Sequence, residues 1–355
     1  MDRFIWPGSG CRLHVSTEDR PVGLRDVENR EMLRSLPVLV VHAHSSCNCR
    51  CVMCDIWKTR ENKTFGIRDL QLQRDSIRRL GVRQIAFSGG EPLMNPELPE
   101  IARCLRREGI KLTLLSTGLL LNKYAREVAE SFDDVIVSLD GPPPIHDQIR
   151  RVKAAFELLQ SGIGALRKVR RDIRITARST VQKANHHCLW ETAGTAQWLP
   201  LDGISFLAVD LTSTAFHRAL VWPVSRQEQI GISLSELPRL EDQVEMLMRE
   251  AEREFGFGFV IESAEKLRRI VGHFRAHLGL QPPESPVCNA PWVSAVIEAD
   301  GTVRPCFFHP AIGNLQDTTL EGLINGPRAR SFRAQLDISR NEVCRNCVCS
   351  LNYRP

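Results

Sequence analysis

From residue 37 onwards, short runs of apolar and often β-branched residues alternate with longer amphipathic stretches. The apolar runs predict six strands, at 37–43, 83–90, 111–118, 133–141, 172–181 and 203–211. Helical spacing recurs between them, as in 67–80 and in 95–109, where Asn95 is the expected cap and Gly109 the expected stop. Apolar strands separated by helices imply parallel pairing through right-handed crossovers. We therefore predict an α/β fold with six β/α units, arranged as a complete or partly open barrel.

The pattern changes after residue 211. Residues 212–286 are rich in helical spacing and form a predicted connector, which ends at the prolines of 282–286. Residues 287–355 hold five cysteines among expected short strands and turns, and we predict a small cysteine-rich domain there. The predicted domains are thus an N-terminal extension at 1–36, a barrel core at 37–211, the connector at 212–286 and the C-terminal domain at 287–355.

Composition narrows the class of protein. The 355 residues are 43% hydrophobic and 25% charged, as in ordinary globular domains, and the net charge of +5 does not require a nucleic-acid partner. The basic run at 167–174 is interpreted as a solvated helix end. We expect no membrane span and no export signal, because no long apolar run is present and the N-terminus lacks an apolar signal region. Twelve cysteines without an export signal indicate a reducing cytoplasm and metal binding rather than disulfides.

Cys47, Cys51 and Cys54 follow the first predicted strand with the spacing C-x3-C-x2-C. Three thiolates so close together suit a four-iron cluster with three protein ligands and one open iron, whereas electron-carrier clusters have four cysteine ligands. Zinc sites usually close with four ligands drawn from paired C-x2-C or Cys/His units. Cys49 makes the local count four, so a zinc site remains an alternative at this point.

The three-cysteine motif resembles the signature of the radical S-adenosylmethionine (radical SAM) superfamily. The resemblance implies a partial (β/α)6 barrel similar to a TIM barrel, open on one side, with SAM bound at the open iron of a [4Fe–4S] cluster. It also implies reductive cleavage of SAM to a 5′-deoxyadenosyl radical, and a reducing partner such as flavodoxin or ferredoxin. Cys49 occupies a variable position of the motif and is expected not to be a ligand. Met53 departs from the aromatic residue usual in the family.

The same resemblance assigns a SAM site to the ends of the strands. Gly89, Gly90 and Glu91 match the family's motif for the SAM amino group, with Glu91 as the expected acceptor for an ammonium group. Polar residues after the next strands are expected to contact the ribose, the methionine part or the carboxylate of SAM: Ser116, Ser138, Asp140 and Arg178. A cap for the following helix is the open alternative for Ser116, Ser138 and Asp140. Leu207 or Val209 is expected to pack on adenine.

The C-terminal cysteines fit a second site. The pattern C-x12-G-x4-C from Cys288 to Cys306, followed by Cys344 and Cys347, resembles the twitch domain, a shortened SPASM domain of radical SAM enzymes. The implied ligands of one auxiliary [4Fe–4S] cluster are Cys288, Cys306, Cys344 and Cys347. Cys349 is a spare that could replace Cys347. A structural zinc site is the alternative. Away from both groups, Cys11, Cys104 and Cys188 are expected to be small buried hydrophobic residues.

The two resemblances together imply a radical SAM oxidoreductase. Hydrogen abstraction followed by electron transfer to the auxiliary cluster would be a net oxidation, and no catalytic side chain can be named from the sequence. The 36 residues before the first strand are too few for a peptide-recognition domain, so we expect a small substrate of the sugar or cyclitol kind. The last residues, SLNYRP, argue against the molybdenum-cofactor cyclase, whose chain ends in two glycines.

Three alternatives stay open. One is a ribosomal-peptide maturase that uses a separate recognition protein. The second is a radical epimerase, with Cys188 or Cys104 as the hydrogen donor. The third, from a different class, is a zinc-binding protein without catalysis.

Overall fold

The computed structural model describes residues 32–354, so Cys11 and most of the predicted N-terminal extension lie outside the described residues. All six predicted strands are present. They are β1 Val38–His44, β2 Gln84–Gly89, β3 Lys111–Ser116, β4 Asp134–Ser138, β5 Arg174–Val181 and β6 Ile204–Ala208. Three short strands follow in the C-terminal part: β7 Ser294–Ile297, β8 Thr302–Arg304 and β9 Gly313–Asn314.

Helices separate the first six strands, as the spacing of apolar residues predicts. Those of the barrel are α1 Ile67–Arg79, α2 Leu98–Arg107, α3 Ala125–Ser131, α4 Pro143–Arg150, α5 Ala155–Val169 and α6 Leu189–Trp198. The connector contains α7 Val224–Ile230, α8 Leu237–Phe255 and α9 Ala264–His277. The C-terminal part adds α10 Ala290–Val293, α11 Leu320–Ile324, α12 Pro327–Gln335 and α13 Glu342–Arg345. None of the described helices is both long and apolar enough to cross a membrane.

One sheet runs through the described chain in the order β6-β5-β4-β3-β2-β1-β7-β8-β9. The first six strands pair in parallel, which confirms the predicted α/β barrel with an open side. Strand β7 adds to the free edge of β1, also in parallel, with Val38 opposite Ser294. Strands β8 and β9 continue it as antiparallel neighbours. The cysteine-rich C-terminal part is therefore built directly onto the strand that precedes the first cysteine motif.

Successive side chains along a strand alternate between the apolar core and the lumen of the barrel. In β1, Leu39, Val41 and Ala43 are buried with 2% exposure or less in the apolar core. His42, between two of them, points to the other face and lines a cavity. Paired residues of parallel strands face the same side. The register Ser138–Arg178–Ser205 therefore places polar side chains from three neighbouring strands on one face.

Local details differ from the sequence-based expectations at three points. Helix α2 begins at Leu98, because the Asn95 side chain is used to bond the Ala43 and Phe65 carbonyls and the Glu97 amide. The C-terminal part contains helices as well as short strands and turns. In the basic run at 167–174, Arg167 and Arg170 donate to the carbonyls of Ile173 and Phe132, so this helix end is engaged by protein and not only by solvent.

Candidate active site between two groups of cysteines

The loop with the first three cysteines is attached tightly to the end of β2. Gly90 donates to His44 O and Glu91 donates to Ser46 O, both at 2.9 Å. Gly89 has a φ of +108°, which a side chain would strain. The sequence predicts that these glycines let backbone approach a ligand. In the structure the close approach is to protein backbone at the start of the cysteine loop.

Each of the three predicted cluster ligands accepts one N–H hydrogen bond at sulfur. Cys47 Sγ lies 3.5 Å from the Cys49 amide, and Cys54 Sγ lies 3.4 Å from the Ile56 amide. Cys51 Sγ lies 3.5 Å from Arg150 Nη1. Such N–H donors stabilise negative charge on sulfur, as a metal-bound thiolate requires. The three sulfurs thus share an environment suited to ligands.

Cys49 differs from its three neighbours. It is completely buried, and hydrogen bonds to Cys47 and Cys51, together with burial, raise its pKa far above the ordinary value. The same hydrogen bond from Cys49, with help from Arg150, lowers the pKa of Cys51 to about 7. Burial and the nearby charge of Cys51 raise the pKa of Cys54 to about 12. Cys49 therefore acts as a donor toward the other thiols.

Residues of the connector also contact the cysteine loop. Arg218 is almost fully buried, pairs with Asp210 at 2.5 Å and donates to Met53 O at 3.4 Å. Its guanidinium lies 3.7 Å from the ring centre of Trp222, whose Nε1 donates to Asp55 at 2.9 Å. The sequence shows no motif for the contacts to Met53 and Asp55, because each joins residues more than 160 positions apart.

Glu91 is fully buried and is held by protein groups. Its carboxylate accepts from the Leu93 amide at 3.1 Å, from Ser116 Oγ at 2.9 Å, and from both the amide and Oγ1 of Thr117 at 2.7 Å. Burial still raises its pKa. Glu91 and Ser116, two of the predicted SAM-contacting residues, therefore meet each other and tie the end of β2 to the end of β3.

The other predicted SAM contacts separate into two places. Asp140 is fully buried, pairs with Arg150 Nη2 at 2.6 Å and accepts from the Thr180 amide at 3.0 Å. It thereby supports the arginine that contacts Cys51. Ser138 and Arg178 lie on the lumen face, and burial lowers the pKa of Arg178. Arg178 and Leu207 line a small cavity of about 70 Å³ together with Cys347 and Cys349. Val209 is buried, and its carbonyl accepts from His273.

A larger cavity, of about 870 Å³, opens beside the cysteine loop. On one side it is bounded by Gly89, Gly90 and Asp55, next to the first three cysteines. On the other side it is bounded by Phe307 and Phe308, which directly follow Cys306. The wall of one cavity thus includes residues that directly follow Cys54 and Cys306 in the chain, one from each group of cysteines.

Aromatic rings form part of the wall of this larger cavity. Phe216 and Phe308 both meet Phe307 edge to face, with ring centres 4.9 and 5.3 Å away. His42 completes the group at 5.6 Å from Phe307, and burial lowers the pKa of His42 to about 4. Phe216 has a φ of +59°, a conformation that costs energy in a bulky residue. Charged residues share the wall, including Glu298, Asp300 and Arg304.

The C-terminal cysteines of the twitch-like pattern interact with one another electrostatically. The charges of Cys288 and Cys344 act on Cys306, and those of Cys306 and Cys288 act on Cys347. Burial raises the pKa of Cys288 and of Cys306, and nearby backbone groups oppose this shift, those of Ala290 and Leu351 at Cys288 and those of Phe308 and His309 at Cys306. The four predicted ligands are therefore linked by electrostatic interactions although they span 60 positions in the chain.

Cys349 belongs to the same neighbourhood. It raises the pKa of Cys347, and its carbonyl oxygen lies 3.0 Å from Cys347 Sγ. It also faces the small cavity, where it interacts with Arg178 and Lys266. Glu262 lines this cavity, and burial raises its pKa to about 7. Sequence reasoning missed Glu262, because an isolated glutamate outside a motif carries no signal.

The remaining described cysteines lie away from both groups. Cys188 is buried next to Thr192 and the Asn185 carbonyl, and burial raises its pKa to about 11. Cys104 is half-buried on α2 and packs against the core. All the cysteines of residues 32–354 are free thiols.

The donor groups fit iron–sulfur ligation at both sites. Three sulfurs with N–H donors follow β1. In the second group, Cys344 Sγ has a ring nitrogen of His309 at 3.3 Å, and the sulfurs of this group act on one another electrostatically. In residues 32–354 no three His, Cys, Asp or Glu side chains converge in the manner of a single-ion site. A cluster of four irons makes a different demand, because each of its irons takes a separate ligand.

Comparison with known protein families finds a match over each region that contains a cysteine group. Residues 43–196 match the model of the radical SAM superfamily, and residues 288–348 match that of SPASM, an iron–sulfur cluster-binding domain. The first match contains the three-cysteine loop and most of the barrel. The second contains Cys288, Cys306, Cys344 and Cys347.

Several curated proteins are similar over part of the chain. An Fe-coproporphyrin III synthase of Methanosarcina barkeri is 33% identical over 158 residues, 42% of this chain and 38% of that protein. An AdoMet-dependent heme synthase of the same organism is 30% identical over 52% of this chain and 50% of that protein. The subtilosin biosynthesis protein AlbA of Bacillus subtilis is 25% identical over 79% of this chain and 58% of that protein. The chain thus spans half or less of the first two relatives.

Solved structures share the fold. Streptococcus suis SuiB bound to its precursor peptide SuiA superposes with a TM-score of 0.66 at 14% identity, covering 91% of this chain and 73% of that one. The protein anSMEcpe with bound AdoMet gives a TM-score of 0.62 at 18% identity, covering 89% of each chain. At these identities the likeness concerns the fold alone, and it confirms the predicted partial barrel with a C-terminal domain.

Proposed function

Because the chain belongs to the radical SAM superfamily and carries a SPASM iron–sulfur domain, we propose that it is a two-cluster radical SAM oxidoreductase. Its cofactors are SAM with a [4Fe–4S] cluster, and an auxiliary [4Fe–4S] cluster. When bound, SAM at its cluster supplies abstraction of a hydrogen atom from a substrate C–H bond, and the auxiliary cluster supplies an electron acceptor. The proposed ligands are Cys47, Cys51 and Cys54 at the first site and Cys288, Cys306, Cys344 and Cys347 at the second.

The observation that carries this proposal is the position of the 870 Å³ cavity. Its wall runs from Gly89, Gly90 and Asp55 beside one cysteine group to Phe307 and Phe308 beside the other. A substrate held there would lie between the source of hydrogen abstraction and the electron acceptor. Loss of a hydrogen atom, then of one electron and one proton, would be a two-electron oxidation.

The walls of the cavity suit a polar substrate of moderate size. His42, Glu298, Asp300 and Arg304 offer hydrogen-bonding and charged groups, and Phe216 with its neighbours offers an apolar surface. Most ligand cavities fall between about 300 and 1,000 Å³. We propose a small substrate rich in hydroxyl groups, of the sugar or cyclitol kind, oxidised at carbon. A flavodoxin or ferredoxin is the proposed electron donor, and the reducing cytoplasm is the proposed location.

A peptide substrate is the second candidate. It is favoured by the match to AlbA, a bacteriocin biosynthesis protein, over 79% of this chain. The same cavity would then receive one side chain of a peptide while the rest of the peptide lies outside. Epimerisation lacks support from the spare cysteines, because neither Cys104 nor Cys188 lines the two cavities described above.

The full chain, reconstituted without oxygen, tests the proposal. About eight irons per chain and reductive cleavage of SAM to 5′-deoxyadenosine are expected. Combined replacement Cys47→Ala, Cys51→Ala and Cys54→Ala should abolish cleavage, and retained cleavage would refute the first site. Cys344→Ala with Cys347→Ala should lower iron to about four per chain and leave cleavage intact. A colourless protein loaded with zinc would instead support the non-catalytic zinc-binding alternative.

Substrate class is tested separately by deuterium transfer. The protein is incubated with SAM and either perdeuterated cyclitols and sugars or deuterated peptides, and 5′-deoxyadenosine is examined by mass spectrometry. Deuterium gained from the first set supports the small-molecule proposal. Deuterium gained only from peptides selects the second candidate.

A further inference from the structure

The imidazole of His309 touches one of the C-terminal cysteines. His309 Nε2 lies 3.3 Å from Cys344 Sγ, and the residue is 4% exposed. This contact joins positions 35 apart in the chain. Nothing in the cysteine pattern predicts it, since the C-x12-G-x4-C spacing ends three residues before His309.

Three contacts fix the histidine. Its amide lies 3.3 Å from Cys306 O, which makes a tight turn directly after that cysteine. Its carbonyl oxygen accepts from Arg304 Nη1 at 3.1 Å, and Arg304 Nε is itself held by Glu298 at 2.7 Å. The ring packs edge to face on Phe332, with centres 4.8 Å apart. The imidazole therefore has little freedom to turn away from the sulfur.

Cys344 is fixed from its own side. The Asn341 side chain accepts from the Cys344 amide at 3.1 Å and so caps the short helix α13. His309 lies in the turn that follows β8, whereas Cys344 lies in α13. The two residues are thus held by separate elements. The contact is a product of the tertiary fold and does not depend on either element alone.

The geometry distinguishes a hydrogen-bond donor from a second ligand. Protein ligands of a four-iron cluster each bind a different iron, so their donor atoms are separated by the cluster itself. A nitrogen in hydrogen-bond contact with Cys344 Sγ does not stand in such a position. A metal-bound thiolate only accepts, and imidazole donates from Nε2 both as the corresponding neutral tautomer and when doubly protonated.

We propose that His309 is a positioning residue for the auxiliary cluster, donating an N–H···S bond to Cys344 and raising the reduction potential of the cluster. The inference rests on the proposed function, which supplies the cluster. Reduction adds negative charge that is shared by the sulfurs, so a donor to sulfur stabilises the reduced state more than the oxidised state. A higher potential favours acceptance of an electron from substrate, which is the role proposed for this cluster.

The test isolates the auxiliary cluster in the full chain. With Cys47→Ala, Cys51→Ala and Cys54→Ala as the parent, only one cluster remains to be titrated by EPR against potential. His309→Leu should shift the midpoint to a more negative potential at unchanged iron content, and His309→Gln, whose amide can donate, should recover part of the shift. His186→Leu is the matched control, because His186 is a buried histidine bonded to the Lys183 carbonyl. An unchanged midpoint in His309→Leu would overturn the proposal.

A second experiment leaves His309 in place, so it can be done even if the His309→Leu variant does not bind iron. Pulsed EPR of the reduced parent protein labelled with ¹⁵N-histidine should show one weakly coupled nitrogen, as expected across a hydrogen bond. A strong coupling would make His309 a ligand, and no coupling would remove the contact, so either result overturns the inference. Zinc in place of iron would instead refute the auxiliary cluster and with it the proposed function.

Discussion

A Cβ atom built on Gly90 would lie 1.9 Å from the carbonyl oxygen of Ser46. Real carbon and oxygen atoms do not approach so closely without a bond, and the obstacle is backbone, which cannot rotate aside. Gly90 is therefore required by the packing of the cysteine loop against the end of β2. The Glu91 amide, which donates to Ser46 O, depends on the same close approach.

Gly90→Ala should displace the cysteine loop. We expect a loss of about 1–3 kcal/mol in the free energy of unfolding, as for overpacked sites, together with reduced iron at the first site. Thermal unfolding and iron analysis measure both. Gly164→Ala is the matched control, because its Cβ would meet nothing within 4 Å in the middle of α5. That variant should gain about 0.5–1 kcal/mol from helix propensity alone, and equal behaviour of the two variants would contradict the packing argument.

Arg150 links Asp140 to Cys51, so its removal should affect both stability and the first cluster. Arg150→Met leaves the buried Asp140 carboxylate without its ion-pair partner, which typically costs about 3–5 kcal/mol. The double variant Arg150→Met with Asp140→Asn should recover part of that loss, since no buried charge then remains unpaired. The EPR midpoint of the first cluster should shift to a more negative potential in both variants, because each lacks the donor to Cys51 Sγ. A midpoint equal to that of the unaltered protein would exclude Arg150 as that donor.

Cys49 is expected to be dispensable for metal binding. It is fully buried and donates toward Cys47 and Cys51, and it is expected not to bind iron. Cys49→Ala should therefore keep about eight irons per chain and retain reductive cleavage of SAM. Cys51→Ala, two positions away, is the comparison and should lose cleavage. Loss of iron in both variants to the same extent would instead place Cys49 among the ligands.

The buried carboxyl group of Glu262 should make stability depend on pH. Burial raises its pKa from 4.5 to about 7 in the folded protein, so the neutral form is favoured there. Below pH 4.5 the carboxyl group is neutral in both the folded and the unfolded protein. The folded protein then carries no buried charge at this position and has its full stability. It is lost as pH rises through 7, by at most about 3 kcal/mol.

Glu262→Gln removes this titration. The variant should gain thermal stability relative to the unaltered protein at pH 8 and gain much less at pH 5, measured by the midpoint of unfolding. The Phe206 amide, which donates to Glu262 at 2.9 Å, can still donate to the glutamine oxygen. Glu265→Gln, an exposed position in the first turn of α9, serves as the control. The same gain at both pH values would refute a shifted carboxyl group.

The barrel could be predicted because its signals are local. Strand β1 needs only alternating apolar residues, and all six strands were placed within a few residues of their observed bounds. The two cysteine groups are equally visible, since their spacing is written in short segments. Asn95 shows the limit of this approach. Its position suggested a helix cap, but its side chain instead joins the Ala43 and Phe65 backbones, which come from distant segments.

The candidate site was less predictable where several polar residues compete for partners. The sequence predicts SAM contacts for Glu91 and Ser116, and the structure adds a hydrogen bond between them across β2 and β3. Arg178, the predicted partner of the SAM carboxylate, lines the small cavity together with Cys349. Sequence spacing alone cannot show which hydrogen-bond partner a side chain has. The partner depends on which polar groups of the neighbouring strand lie opposite that side chain.

The amino-acid sequence by itself determined the strands, their parallel order and the two sets of sulfurs, because apolar periodicity and cysteine spacing act within a few residues. The tertiary structure decided everything that depends on residues far apart in the chain. It placed β7 beside β1, and the wall of one cavity holds residues from both the first cysteine loop and the C-terminal part. It also brought Arg150 to Cys51 and His309 to Cys344. These contacts follow from chain packing, in which each donor's position is set by the elements that carry it.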